Sequence, residues 1–431
     1  MEYLIAFLIF SIALFFPLLI FSRKHFGSVL ELNYFNIWFG LYFILAWIGA
    51  LLTLLGFAKD SYFISGILHK VDVVGVGSLA VLWSGIGMFY SFIFTLLLLD
   101  RGLKSKWNNV IQRNIFDHKN EKIIIYLFSI FTFLSFVYYQ VKIFPSPFIM
   151  ALQGDPIGAA VKRIDITKDL SKYANTYLIA FGMLLSQLLS IQMIIRGQKE
   201  KFLKYFMLCV AILFLLSSGE KGPAIFFLIG LFVAYGISKK SIKKVNLKFG
   251  IITFLSLFLI YYFVVTNDIN EIKELIFERL LFAQMSIVYY SFDYYHVGNF
   301  IGFESLGGIF NKILNLEVVP PSSEVLMQQY FSEMLLNGGW NINGIYISEA
   351  WSNFGVLGVI FAPLYVGLIN ALLYLFLSNK NSSFYSAILV YYTACSFGFL
   401  TSFNLYLYNT ITVLVLILVM IHYFFIKMVG K

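Results

Sequence analysis

Eleven apolar stretches divide the chain, at about 3–22, 34–57, 73–99, 123–143, 177–195, 202–218, 223–237, 249–266, 356–377, 385–402 and 408–426. Most come close to the ~20 residues needed to cross a hydrocarbon layer of about 30 Å. Inside that layer no water is available to the backbone, so one segment can cross only as an α-helix. The spacing therefore predicts an all-α polytopic membrane protein with about eleven transmembrane helices and a large external loop containing short helices. Composition agrees: 60% of residues are hydrophobic and 12% charged, with mean hydropathy +0.83. Soluble domains carry about 25% charged residues.

Charge predicts the orientation. The segments after spans 1, 3, 5, 7 and 9, with the C-terminal tail and with Lys204 at the start of span 6, hold 20 of the 31 Lys and Arg. Cytoplasmic loops collect such residues, so the N-terminus is expected outside and the C-terminus inside. The net charge of +9 follows from this bias and from contact with anionic membrane lipid; no nucleic-acid partner is expected. Three parts result: spans 1–8 over 1–266 with an external loop at 144–176, a large external loop at 267–354, and spans 9–11 over 355–431. Both cysteines fall inside spans and the five histidines are scattered. That pattern predicts neither a disulfide framework nor a metal site. The chain carries no phosphate-cradling glycine motif, which argues against ATP-driven transport by this chain alone.

The loop 267–354 holds ten of the 22 acidic residues, together with Pro320, Pro321 and a Gly/Asn-rich stretch. So much polar, irregular backbone must lie in water or line a cavity. Asn270 to Tyr290 has the apolar spacing of one amphipathic helix, with Arg279 at its middle. Asp293, Tyr294, Tyr295 and His296 follow, and Trp351 lies just before span 9. Aromatic faces beside carboxylates suit sugar rings, and a membrane-interface belt explains the tyrosines equally well. Glu349 lies one or two turns before the apolar run. A carboxylate there is either a general base tuned by partial burial or an acid favoured by a helix N-terminus.

Two further external segments carry cations. Gly219-Glu220-Lys221-Gly222-Pro223 joins two short apolar runs. It reads as a helix N-terminus beside a lysine, which suits a phosphate, or as a tight hairpin whose charges neutralise each other. In 144–176, Ile157 to Ile164 fits a short helix presenting Lys162 and Arg163. Arg163 has the planar fork that clamps a phosphate, or pairs with Asp165 or Asp169 at the surface.

Three local patterns resemble the Wzy-type polymerases of bacterial O-antigen and capsule repeat units. P-S-P-F-I-M-A-L-Q-G, with Arg163 nine residues later, is similar to the family's first external loop. S-S-G-E-K-G-P-A-I is similar to its Gly-x-Arg-Gly-Pro-like turn, with Lys221 where an arginine is usual. G-I-Y-I-S-E-A-W-S-N-F-G-V-L-G is similar to the acidic segment that enters a late span. The resemblance implies a multi-pass protein of the bacterial inner membrane that joins oligosaccharide repeat units carried on polyprenyl pyrophosphate. It implies no cofactor and no metal, and a chain-length regulator protein as partner. Arg163, Lys221, Gly222 and Arg279 would then hold the pyrophosphate. Asp293, Tyr294, Tyr295, His296 and Trp351 would hold sugar, and Glu349 would take the proton, with Asp293 or His296 as substitutes. A lipid-linked oligosaccharide flippase or other transporter, and the ligase that moves finished O-antigen, remain alternatives.

Overall fold

The computed structural model describes residues 1–26, 33–99, 121–168, 175–197, 200–217, 222–239, 255, 276–296, 298–306, 308–317, 319–332, 342, 344–378, 382–395, 403–407 and 410–429. Among the described residues there is no β-strand. The helices are α1 (Glu2–Phe26), α2 (Tyr34–Tyr42), α3 (Ile48–Leu54), α4 (Val71–Leu99), α5 (Glu121–Ile143), α6 (Pro147–Leu152), α7 (Pro156–Lys168), α8 (Thr176–Ile195), α9 (Lys201–Ser217) and α10 (Gly222–Lys239). They continue with α11 (Ala283–Tyr294), α12 (Gly308–Leu314), α13 (Ser322–Tyr330), α14 (Tyr346–Ser378), α15 (Ser383–Val390), α16 (Asn404–Leu407) and α17 (Thr410–Val429).

Among the described residues, seven helical runs are long and apolar enough to cross a membrane: Glu2–Lys24, Tyr34–Leu54, Val71–Leu99, Lys122–Ile143, Thr176–Ile195, Tyr346–Ser378 and Asn404–Phe424. The runs expected at 202–218 and 223–237 form α9 and α10, of 17 and 18 residues. The run expected at 385–402 begins as the eight residues of α15 and continues as a π-helical turn, Tyr391–Cys395. The run expected at 249–266 lies, apart from Leu255, outside the described residues. The amphipathic helix expected over 270–290 is interrupted: 276–281 is helical, a turn follows, and α11 begins at Ala283. There the Leu281 carbonyl comes so close to α3 that a Cβ on Gly49 would lie 2.1 Å from it. Tertiary packing of backbone on backbone has overridden the local helical spacing.

Proline inside a membrane helix leaves the carbonyl four residues earlier without its N–H partner. Each such vacancy is met from a neighbouring helix. In α14, Pro363 frees the Val359 carbonyl, which accepts the indole N–H of Trp83 from α4 at 3.0 Å. In α1, Pro17 frees the Ala13 carbonyl, which accepts from the Tyr90 hydroxyl at 3.5 Å. Close approach makes these bonds reachable: a Cβ on Gly367 would stand 2.2 Å from the Met88 carbonyl. Such small residues let membrane helices pack backbone to backbone.

The pairings Trp83 with Val359 and Ser91 with Leu364 set α4 and α14 parallel. Tyr3 with Asp72 and Tyr90 with Ala13 set α1 parallel to both. The connections thereby sort into two ends. At one end Ser22 donates to Asn36 at 2.5 Å, Tyr34 to Asn370 at 2.8 Å and Gln192 to Ser383 at 3.0 Å. The other end gathers the start of α4, α11, α13, the start of α14 and α16. There Ser61 donates to Glu278 at 2.5 Å and Lys70 pairs with Asp293 at 2.5 Å.

A third break shapes this second end. Gly355 has φ 57° and ψ −135°, so α14 is two helices joined at a kink. The carbonyls of Ser352 and Asn353 accept instead from the N–H groups of Ile301 and Gly302, both at 3.0 Å. Only glycine adopts this backbone without strain, and a Cβ here would also meet the Phe300 ring at 2.6 Å. Gly355→Ala is expected to cost about 1–3 kcal/mol, read as a lower melting temperature of the detergent-purified protein. An unchanged melting temperature would contradict the kink as described.

Candidate functional site

Glu349 sits in the first turn of α14 and is 4% exposed. Among the described residues it is the only Asp or Glu buried to this degree. Its carboxylate is held by Asn404, the first residue of α16. The Asn404 backbone N–H donates to Oε2 at 3.0 Å, and the Asn404 amide Nδ2 donates to Oε1 at 3.1 Å. Nδ2 also lies 2.8 Å from Ser305 Oγ and 3.0 Å from the Ser305 carbonyl. Asn353, one turn beyond Glu349, donates to Asn404 Oδ1 at 2.8 Å, and Ser305 Oγ donates to Asn353 Oδ1 at 3.3 Å. Three distant pieces of chain thus converge on one carboxylate: the polar loop, the start of α14 and the segment before α17. The helix break makes this possible, because Ile301 and Gly302, which bond the freed carbonyls, bring Ser305 alongside.

Trp351 donates its indole N–H to the carbonyls of Ser291 and Tyr295, each at 3.1 Å. Its ring stacks on Phe292 at 4.3 Å and meets the edge of Phe300. The tryptophan therefore fastens the end of α11 to α14. Tyr295 is buried, and its hydroxyl has no hydrogen-bond partner among the described residues. Burial raises its pKa above the ordinary tyrosine value, with the charges of Tyr294 and Glu349 adding to the effect. The hydroxyl keeps its proton and lies within the field of the Glu349 carboxylate.

Asp293 belongs to a second cluster. It accepts from Lys70 at 2.5 and 2.7 Å and from the Tyr330 hydroxyl at 2.6 Å. Burial, and then the bond to Asp293, raises the Tyr330 pKa, so this hydroxyl remains a donor. Tyr290 packs on Tyr330 with ring centroids 4.5 Å apart and is pushed up to about 12, first by burial and then by Asp293. His296 is exposed, with Nδ1 3.1 Å from the Tyr294 carbonyl. The residues expected to bind sugar are thus not brought together: Trp351 and Asp293 lie in separate clusters, and His296 is exposed.

The cations are spread more widely. Arg163 is half-buried on α7, whose Ile166 packs with Tyr139 and Ile143 at the end of α5, Ile179 at the start of α8 and Phe214 near the end of α9. Its neighbour Lys162 is tied to the Pro145 carbonyl at 2.6 Å, and burial lowers its pKa. Arg279 is exposed, one residue after Glu278. Gly222 opens α10, while Lys221 lies outside the described residues. No contact found among the described residues brings Arg163 or Arg279 to Glu349. Asn404, Ser305, Lys70 and Tyr330 were not anticipated from sequence; the partner of each is remote in the chain.

Comparison of the chain with family models, with curated proteins and with solved structures gives no match.

The Lys70–Asp293 pair is two-fifths exposed at the lysine, so solvent weakens it. In a cycle of Lys70→Met, Asp293→Asn and the double variant, a coupling of about 0.5–1 kcal/mol is expected. Thermal unfolding measures it, and simple additivity would contradict the pairing.

Proposed function

We propose that this chain is a membrane glycosyltransferase of the Wzy type, joining oligosaccharide repeat units carried on polyprenyl pyrophosphate at the outer face of a bacterial inner membrane. In this reading the chain crosses the membrane about eleven times, with the N-terminus outside and the loop 267–354 on the outer side. The observation that carries it is Glu349. One buried carboxylate stands where a polar loop, a broken helix and the approach to the last helix meet. That is the junction of water and lipid at which a lipid-linked pyrophosphate and a polar acceptor must both be presented.

In the reaction the acceptor hydroxyl attacks the anomeric carbon of the donor. A new C–O bond forms, the bond to the pyrophosphate oxygen breaks, and its electron pair leaves with polyprenyl pyrophosphate. Glu349 receives the hydroxyl proton. A carboxylate has about four acceptor positions, so two N–H bonds are compatible with that role. Arg163 and Arg279, with Lys221 and Gly222, are assigned to the pyrophosphate, where cations stabilise charge on the leaving group.

A broken helix with buried polar groups is also what a secondary transporter uses, so a flippase is the reading to weigh against this one. The position of the break favours the enzyme. From Val356 to Ser378, α14 continues for 23 residues, about 34 Å at 1.5 Å per residue. That length crosses a bilayer alone, which puts the break at the end of the span, whereas transporters place it midway. An O-antigen ligase would use the same chemistry with a different acceptor.

Glu349→Gln keeps the side-chain shape and removes the basic oxygen. Loss of a general base slows reactions by about 10²–10⁴-fold. The variant, expressed at matched level in a strain lacking this gene, is expected to yield glycans of a single repeat unit. Long chains of normal distribution would remove Glu349 from the mechanism.

A further inference from the structure

The hydrogen bonds around Glu349 have a direction. Ser305 Oγ donates to Asn353 Oδ1 at 3.3 Å, Asn353 Nδ2 donates to Asn404 Oδ1 at 2.8 Å, and Asn404 Nδ2 donates to Ser305 Oγ at 2.8 Å. These three bonds close a ring. In such a ring each member's donor and acceptor are spoken for, so neither amide can turn over without breaking two bonds. The ring therefore fixes which atom Asn404 presents to Glu349. The second hydrogen of Nδ2 is shared between Oε1 at 3.1 Å and the Ser305 carbonyl at 3.0 Å, while its backbone N–H meets Oε2. Asn353 is 2% and Asn404 7% exposed, so water does not compete effectively for these groups, and the bonds are correspondingly strong.

We infer that Asn404 is the positioning residue of this site, holding the Glu349 carboxylate in one orientation through a ring that closes only when the polar loop has docked. The inference rests on the reading that Glu349 accepts the proton. Asn404 reaches the chemistry only through Glu349: its amide oxygen and nitrogen are engaged with Asn353, Ser305 and Glu349. Ser305 comes from the large loop and Asn404 from just before α17, 99 residues apart. The ring thus couples the fold of the loop to the geometry of the carboxylate.

The test uses the full-length protein in detergent and, as substrate, the lipid-linked single-repeat glycan extracted from a strain lacking this gene. Asn404→Ser keeps the backbone N–H bond and loses the amide bond. Misplacement of a catalytic group by about 1 Å costs about 10²-fold. Turnover is therefore expected to fall by about that factor, with the half-saturating substrate concentration unchanged. A purely structural role would instead move turnover only in step with the melting temperature. Unchanged turnover in Asn404→Ser overturns the proposal.

A second arm reverses donor and acceptor. Asn404→Asp sets two carboxylates together and is expected to lower the melting temperature. Adding Glu349→Gln lets the new amide at 349 donate to the new carboxylate at 404. The double variant is expected to recover the melting temperature and to stay inactive. Failure to recover stability overturns the pairing. Recovery of both stability and long-chain product would keep the pairing but overturn the positioning role, because Glu349 would then not be the base.

Discussion

A backbone carbonyl that loses its partner in a membrane helix must find another, and much of this structure follows from that need. Unmet groups in hydrocarbon cost several kcal/mol each. Among the described residues this matters at Pro17, Pro363 and Gly355. Tyr90, Trp83 and the Ile301–Gly302 backbone answer in turn. The first two fasten α1 and α14 to α4 and make α4 the central strut. The third does something different. It uses a loop, so a polar segment is drawn onto the end of a membrane helix and stays there.

Docking of that loop creates the environment of Glu349. Without the kink, Asn353 and Ser352 would lie in an unbroken helix and Ser305 would have no reason to be near them. With it, a carboxylate is enclosed yet supplied with N–H donors from Asn404. Taking an ion out of water costs several kcal/mol even after relaxation, and the N–H donors of Asn404 offset part of that cost. The neighbouring Lys70–Asp293–Tyr330 cluster is built otherwise, from an ion pair open to solvent at the lysine. The first carboxylate is enclosed and bonded to Asn404, and the second ties α4, α11 and α13 together.

How much of this was legible in the sequence varies with the range of the interaction. The long membrane helices were, because an apolar run is a local property; α4, α5 and α8 fall within a few residues of the spans expected. The short helix near Arg163 was also legible, from the turn residues before it. The helix expected over 270–290 was interrupted because Gly49, over 200 positions away, admits the Leu281 carbonyl. Glu349 stood out in the sequence as an acid at the edge of an apolar run. Its holder did not: Asn404 lies 55 residues further on, and nothing local in the sequence ties it to Glu349. Trp351 read as a sugar platform, yet its N–H and ring are engaged with α11 and Phe300. Composition shows that an aromatic is present and says nothing of which neighbour covers its face.

The central claim is that this chain lengthens a glycan on a lipid carrier. The most direct measurement is the size and sidedness of lipid-linked glycan in a strain from which the gene is deleted. A polymerase predicts single repeat units, still on their lipid and exposed on the outer face. Long chains persisting on the lipid would point to a ligase, and single units confined to the inner face would point to a flippase. Either result would contradict the polymerase.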